Sequence, residues 1–94
     1  MKFIVEHPLP PGATRENIEE LSKSMEVDPK ISGHRSFLNL SQGKGFCVFE
    51  APDKESLVSW LSRNNLNYES ITEVELETFQ GQPVEAETPA QSGP

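Results

Sequence analysis

The order of the predicted elements constrains the fold of this chain more than any single motif. Strands are predicted over residues 2–6, 34–40 and 46–50 and up to residue 79, with helices after residues 14 and 53. The order is therefore β-α-β-β-α-β. It predicts an α+β, ferredoxin-like fold, in which a four-stranded antiparallel sheet with strand order 4-1-3-2 carries both helices on one face.

Both predicted helices have a start signal and an apolar stripe. Thr14 and Asp53 are N-cap residues, because their side-chain oxygens can accept a hydrogen bond from the first turn of a helix. After Thr14, apolar residues recur at helical spacing at Ile18, Leu21 and Met25. Each helix is therefore expected to pack an apolar stripe against the sheet.

The two strands at the centre of this sheet are apolar on both faces. Residues 3–5 read Phe-Ile-Val and residues 46–49 read Phe-Cys-Val-Phe, whereas the last strand alternates apolar residues with glutamates. Because the helices cover only one face, a second layer must cover the other. We expect a homodimer formed through the open face; an apolar ligand, a larger assembly or a semi-exposed face are the alternatives.

Composition limits the remaining possibilities. The chain has 94 residues and a net charge of −7, with its eight Lys and Arg scattered, so nucleic acid is not an expected partner. Residues 1–79 form one predicted domain, and residues 80–94 a disordered, acidic, Pro-rich tail. We predict neither a signal peptide nor a membrane span, and we expect a cytoplasmic protein. The single cysteine, Cys47, is interpreted as a small buried hydrophobe.

Polar residues near the strand ends form the candidate site. If strands one and three run parallel, His7, His34 and Glu50 gather at one end of the sheet, together with Arg35 and Tyr68. Imidazole and carboxylate groups bind divalent metals or transfer protons near neutral pH. The alternatives are a Glu50–Arg35 ion pair, formed if Gln42-Gly43 is a two-residue hairpin loop, and histidines that are merely solvated.

Scattered residues give the chain a family resemblance over about residues 2–76. They are Phe3, Val5 and His7 in the first strand, Phe46, Cys47 and Glu50-Ala51-Pro52 before the second helix, and Ile71 and Val74 near the end. In these positions the chain resembles a short bacterial ferredoxin-like family of unknown function that includes an actinobacterial nickel-binding protein. The resemblance implies a dimer that binds nickel through His7, with His34 and Glu50 as further ligands.

The sequence thus predicts a small binding or accessory protein that binds a divalent metal, nickel above all, near His7. We predict no catalytic residue and no other cofactor. The alternative is an enzyme of the dimeric α+β barrel type, similar to monooxygenases or isomerases. It would act on a small organic substrate in a pocket between the helices and the sheet, with a histidine as acid or base.

Overall fold

The computed structural model of the protein describes residues 1–84, which form six strands and two helices. In chain order these are β1 (Lys2–Pro8), α1 (Arg15–Ser24), β2 (Ser32–Asn39), β3 (Lys44–Glu50), α2 (Lys54–Arg63), β4 (Ser70–Glu73), β5 (Glu77–Phe79) and β6 (Gln82–Val84). A four-stranded antiparallel sheet with two helices confirms the predicted α+β class. Neither helix in the described part of the chain is long and apolar enough to cross a membrane.

The main sheet has the strand order β2-β3-β1-β4, with β1 and β3 in the centre as expected. All neighbouring strands in it are antiparallel. The prediction that β1 and β3 run parallel is therefore wrong: Lys2 pairs with Glu50, and His7 pairs with Gly45. The parallel relation holds between β1 and β2, which α1 connects, and β3 returns from β2 to lie between them.

The hydrophobic core lies on the helix side of the sheet. Its buried members are Phe3, Val5, Phe49, Ala51, Leu57, Trp60 and Leu61. The α2 helix supplies three of them, and the Trp60 ring packs edge-on against Phe49 with centroids 5.5 Å apart. The α1 helix, by contrast, contributes no buried residue. Both N-caps are as predicted, since Thr14 accepts from Asn17 N–H and Asp53 accepts from Ser56 N–H.

The hairpin between β2 and β3 is longer than predicted. Asn39 pairs with Lys44, so the loop has four residues, 40–43, rather than two. The Asn39 side chain accepts a hydrogen bond from Gln42 N–H, and Gly43 has a φ of 69°, which favours glycine. The register therefore differs, and Arg35 faces Val48 instead of Glu50. A bulge between Gly33 and Arg35 makes His34 the extra residue of β2.

Beyond β4 the chain leaves the main sheet. That strand ends at Glu73, and β5 and β6 form a separate two-stranded hairpin. Gln80 and Gly81 both have positive φ, at 53° and 81°, as in the tight turns that connect such strands. Gln82–Val84 is therefore a strand, whereas the sequence assigned it to a disordered tail. The rest of that predicted tail, residues 85–94, lies outside the described residues.

We call the sheet surface away from the helices the open face; its apolar residues are Ile4, Phe37, Phe46 and Val48. Phe37 and Phe46 are directly opposite each other on β2 and β3. Phe37 is 57% exposed, and Ile4 and Phe46 are 38% and 39% exposed. The central strands are thus apolar on both sides, as the sequence indicates, and only the helix side is covered within the described chain.

Candidate functional site

His7 and Cys47 lie side by side on the helix side of the two central strands. His7 is opposite Gly45, and Cys47 is opposite Val5 two residues further along. The two are therefore diagonal neighbours on one face, a separation that a ring side chain can bridge. Gly45 has no side chain, and the Leu38 side chain of β2 fills the space that a Cβ at residue 45 would take.

The His7 ring is fixed by the chain segment before β4. It is only 8% exposed, and its Nδ1 lies 2.9 Å from the backbone carbonyl oxygen of Asn67. Because a carbonyl can only accept, Nδ1 carries a proton and donates it, which leaves Nε2 for Cys47. Burial alone would lower the pKa of His7, but hydrogen bonds to Cys47 and to the Asn67 carbonyl raise it above its ordinary value.

The Cys47 thiol has two polar neighbours. Ser36 Oγ donates a hydrogen bond to Sγ over 3.1 Å, and His7 lies on the other side. Burial alone would raise the pKa of Cys47, but the hydrogen bonds from His7 and Ser36 and the charge of His7 lower it. The pair is thereby shifted toward imidazolium and thiolate. The interpretation of Cys47 as a small buried hydrophobe does not include this pairing with His7 and Ser36.

A cleft of about 580 Å³ opens above this pair, between α1 and the sheet. We call His7, Ser36 and Cys47 the cleft floor. The apolar stripe of α1, namely Ile18, Leu21 and Met25, forms the roof, and residues 8–13 and 65–67 form the ends. Among the described residues that line the cleft, none is Lys, Arg, Asp or Glu.

The other two predicted ligands lie at the opposite end of the sheet. His34 Nε2 is 3.8 Å from Glu50 Oε1, and Glu50 Oε2 is 2.7 Å from the amino group of Met1. Glu50 is five residues along β3 from the partner of His7, which is about 17 Å at the usual rise of a strand. The structure thus brings His34 and Glu50 together but separates both from His7.

No cluster of three or more His, Cys, Asp or Glu residues able to hold a metal exists within residues 1–84. The expected gathering of His7, His34 and Glu50 fails because β3 runs antiparallel to β1. Arg35 follows His34 to the far end of β2, and Tyr68 stays near His7, one residue after Asn67. Whether any of the three predicted ligands binds metal stays a prediction.

A family model described as "Nickel responsive protein SCO4226-like" matches residues 3–74. The chain belongs to this family. The match confirms the resemblance to a nickel-related bacterial family. The crystal structure of SCO4226 from Streptomyces coelicolor A3(2) is similar to this chain with a TM-score of 0.73 and 20% sequence identity, covering 83% of this chain and 100% of that one. At this identity the likeness shows a shared fold. No curated protein matches the chain.

Proposed function

We propose that this SCO4226-like chain is a small nickel-binding accessory protein in which His7 and Cys47 supply two of the donor atoms. The fixed His7 ring carries the proposal. Its Nδ1 donates to the Asn67 carbonyl, so Nε2 is the ring nitrogen left on the side of Cys47. Metal-binding histidines almost always donate their other ring N–H in this way, which sets the tautomer and the orientation of the ring.

The chemistry of the two donors fits nickel. Imidazole nitrogen suits nickel among the first-row metals, and thiolate sulfur binds softer ions of the same series. A thiol must lose its proton to bind, and the lowered pKa of Cys47 reduces the cost of that step, whereas the raised pKa of His7 means that nickel must displace a proton from the imidazolium. Two protein donors would leave the other coordination positions of the ion facing the cleft, where water or a small ligand could complete them. A reducing cytoplasm would keep this thiol available.

His34 and Glu50 offer a second position for the metal. The 3.8 Å between His34 Nε2 and Glu50 Oε1 is a separation that one bridging ion could span. Glu50 Oε1 is also buried and lacks a hydrogen-bond partner among the described residues, and such an atom gains from a cation. This position retains two of the ligands that the family resemblance implies, without His7.

Isothermal titration of tag-free protein with nickel chloride tests the proposal. We expect His7→Ala and Cys47→Ser each to weaken binding at least tenfold, and His34→Ala, which changes the same residue type at the far end of the sheet, to have no effect. A thiolate-to-nickel absorption band should appear in wild type and be missing in Cys47→Ser. Loss of binding in His34→Ala alone would favour the second position, and no heat in wild type would refute nickel binding.

A ferredoxin-like homodimer through the open face completes the proposed function. The exposed pair Phe37 and Phe46 supports it, because a central apolar patch of this kind marks an interaction surface. Light scattering of wild type should give twice the chain mass, and Phe46→Glu should give the monomer. Phe79→Glu is the matched control, since Phe79 is exposed on the separate hairpin. A monomeric wild type would contradict the dimer.

A further inference from the structure

The two helices contact the sheet in different ways. The α2 helix buries Leu57, Trp60 and Leu61, but no residue of α1 is buried, and Leu21 in the middle of its apolar stripe is 40% exposed. A surface helix normally buries its apolar stripe against the layer below it. Here that stripe faces the cleft.

The segments that flank α1 are hydrogen-bonded to the rest of the fold. Before the helix, Leu9 N–H donates to the Gly43 carbonyl over 3.0 Å. After it, Glu26 N–H donates to Asn64 Oδ1 over 2.8 Å, and the Glu26 carbonyl accepts from Trp60 Nε1 over 3.0 Å. The helix therefore spans the cleft between two anchored ends, and the space beneath it is part of the fold.

The lining of the cleft specifies the chemistry of an occupant. Lys, Arg, Asp and Glu make up 24% of the chain, yet none is among the described lining residues. A charged ligand would lose its hydration there and find no Lys, Arg, Asp or Glu to pair with, because the ionisable side chains of the described lining, His7 and Cys47, are paired with each other. The polar groups are amides, hydroxyls and the cleft floor, and the volume of about 580 Å³ lies in the range of small-molecule sites.

We propose that the cleft between α1 and the sheet binds a neutral small organic molecule, with its apolar body against the roof and one polar group at the cleft floor. His7 Nε2, the Cys47 sulfur and Ser36 Oγ are the groups that would meet this polar end. The proposed occupant is a small molecule because the volume of about 580 Å³ is that of a small-molecule site. The ligand would meet the same two groups, His7 and Cys47, that are proposed to hold nickel, so the site is tested without metal, and its failure would leave the nickel proposal standing.

A neutral fluorescent probe, N-phenyl-1-naphthylamine, tests this site in EDTA-treated protein, so that metal binding plays no part. We expect a saturable rise in fluorescence with one probe per chain. Leu21→Glu places a carboxylate in the roof and should weaken binding at least tenfold. Val27→Glu is the matched control, because Val27 is 91% exposed and is not among the lining residues; it should leave affinity within twofold.

Two further variants locate the probe. Ser36→Trp, on the exposed strand β2, fills the cleft from its floor and should abolish binding while leaving the circular dichroism spectrum unchanged. Phe37→Glu, on the same strand but on the open face, should leave probe affinity within twofold, even though it would disturb the proposed dimer. Loss of binding in Phe37→Glu with normal binding in Leu21→Glu would overturn the proposal, as would a wild type that gives no saturable signal.

Discussion

The contrast between the two helices predicts very different costs for the same substitution. Leu57 on α2 is 0% exposed and packs in the core. Leu57→Ala should lower the free energy of unfolding by about 3 kcal/mol, within the range for buried leucines. For a domain of this size that lowers Tm by about 12–24 °C. Leu21→Ala on α1 should cost about 1 kcal/mol or less, because the leucine is already 40% exposed and alanine favours helix.

Urea unfolding, followed by the fluorescence of Trp60, measures both costs. Trp60 is the single tryptophan of the chain, and it lies in the core beside Phe49. All variants should be compared at one protein concentration and without metal, since dimerisation and ligands add apparent stability. If Leu21→Ala costs as much as Leu57→Ala, then α1 is packed onto the sheet in solution, and the argument for an open cleft fails.

Three other perturbations have defined outcomes. Thr14→Ala removes the side chain that caps α1 and should cost about 1 kcal/mol in urea unfolding, whereas Thr14→Ser should cost little. Gly43→Ala should cost about 1–2 kcal/mol by the same assay, because φ is 69° there; a neutral effect would mean that the turn rearranges. Cys47 should react with iodoacetamide at lower pH than an ordinary thiol, since its lowered pKa leaves more thiolate. His7→Ala should shift the dependence of this reaction rate on pH to higher pH. The same pH dependence in wild type and His7→Ala would contradict the pairing of His7 with Cys47.

The local features of the fold could be predicted, because they depend on neighbours in sequence. Thr14 and Asp53 each bond a backbone N–H three residues ahead, which any sequence window contains. The register of β3 against β1 could not be obtained in this way, because a period of two shows which residues share a face but not which residues are opposite. The direction of β3 did follow from the predicted antiparallel sheet, in which strands one and three are neighbours, and the assumption of parallel strands departed from that prediction.

The candidate site shows the same limit. The sequence singled out His7, which the structure places on the cleft floor, but grouped it with Glu50 because the strand direction was wrong. Cys47 was missed as its neighbour, because only the register sets His7 opposite Gly45 and Cys47 opposite Val5. With β3 antiparallel and that register known, alternation alone would have put His7 and Cys47 on one face.

The anchored ends of α1 have a consequence for how this protein can change over evolution. Its neighbours hold the helix through Leu9 and Glu26, while the folding energy of the core comes from α2 and the central strands. Substitutions at Ile18 and Leu21 can therefore reshape what the cleft accepts with little loss of stability, whereas Met25, at the end of the helix, packs against the core. Homologues with the same core could diverge in specificity through this one helix, and a designer could vary Ile18 and Leu21 as a library without rebuilding the scaffold.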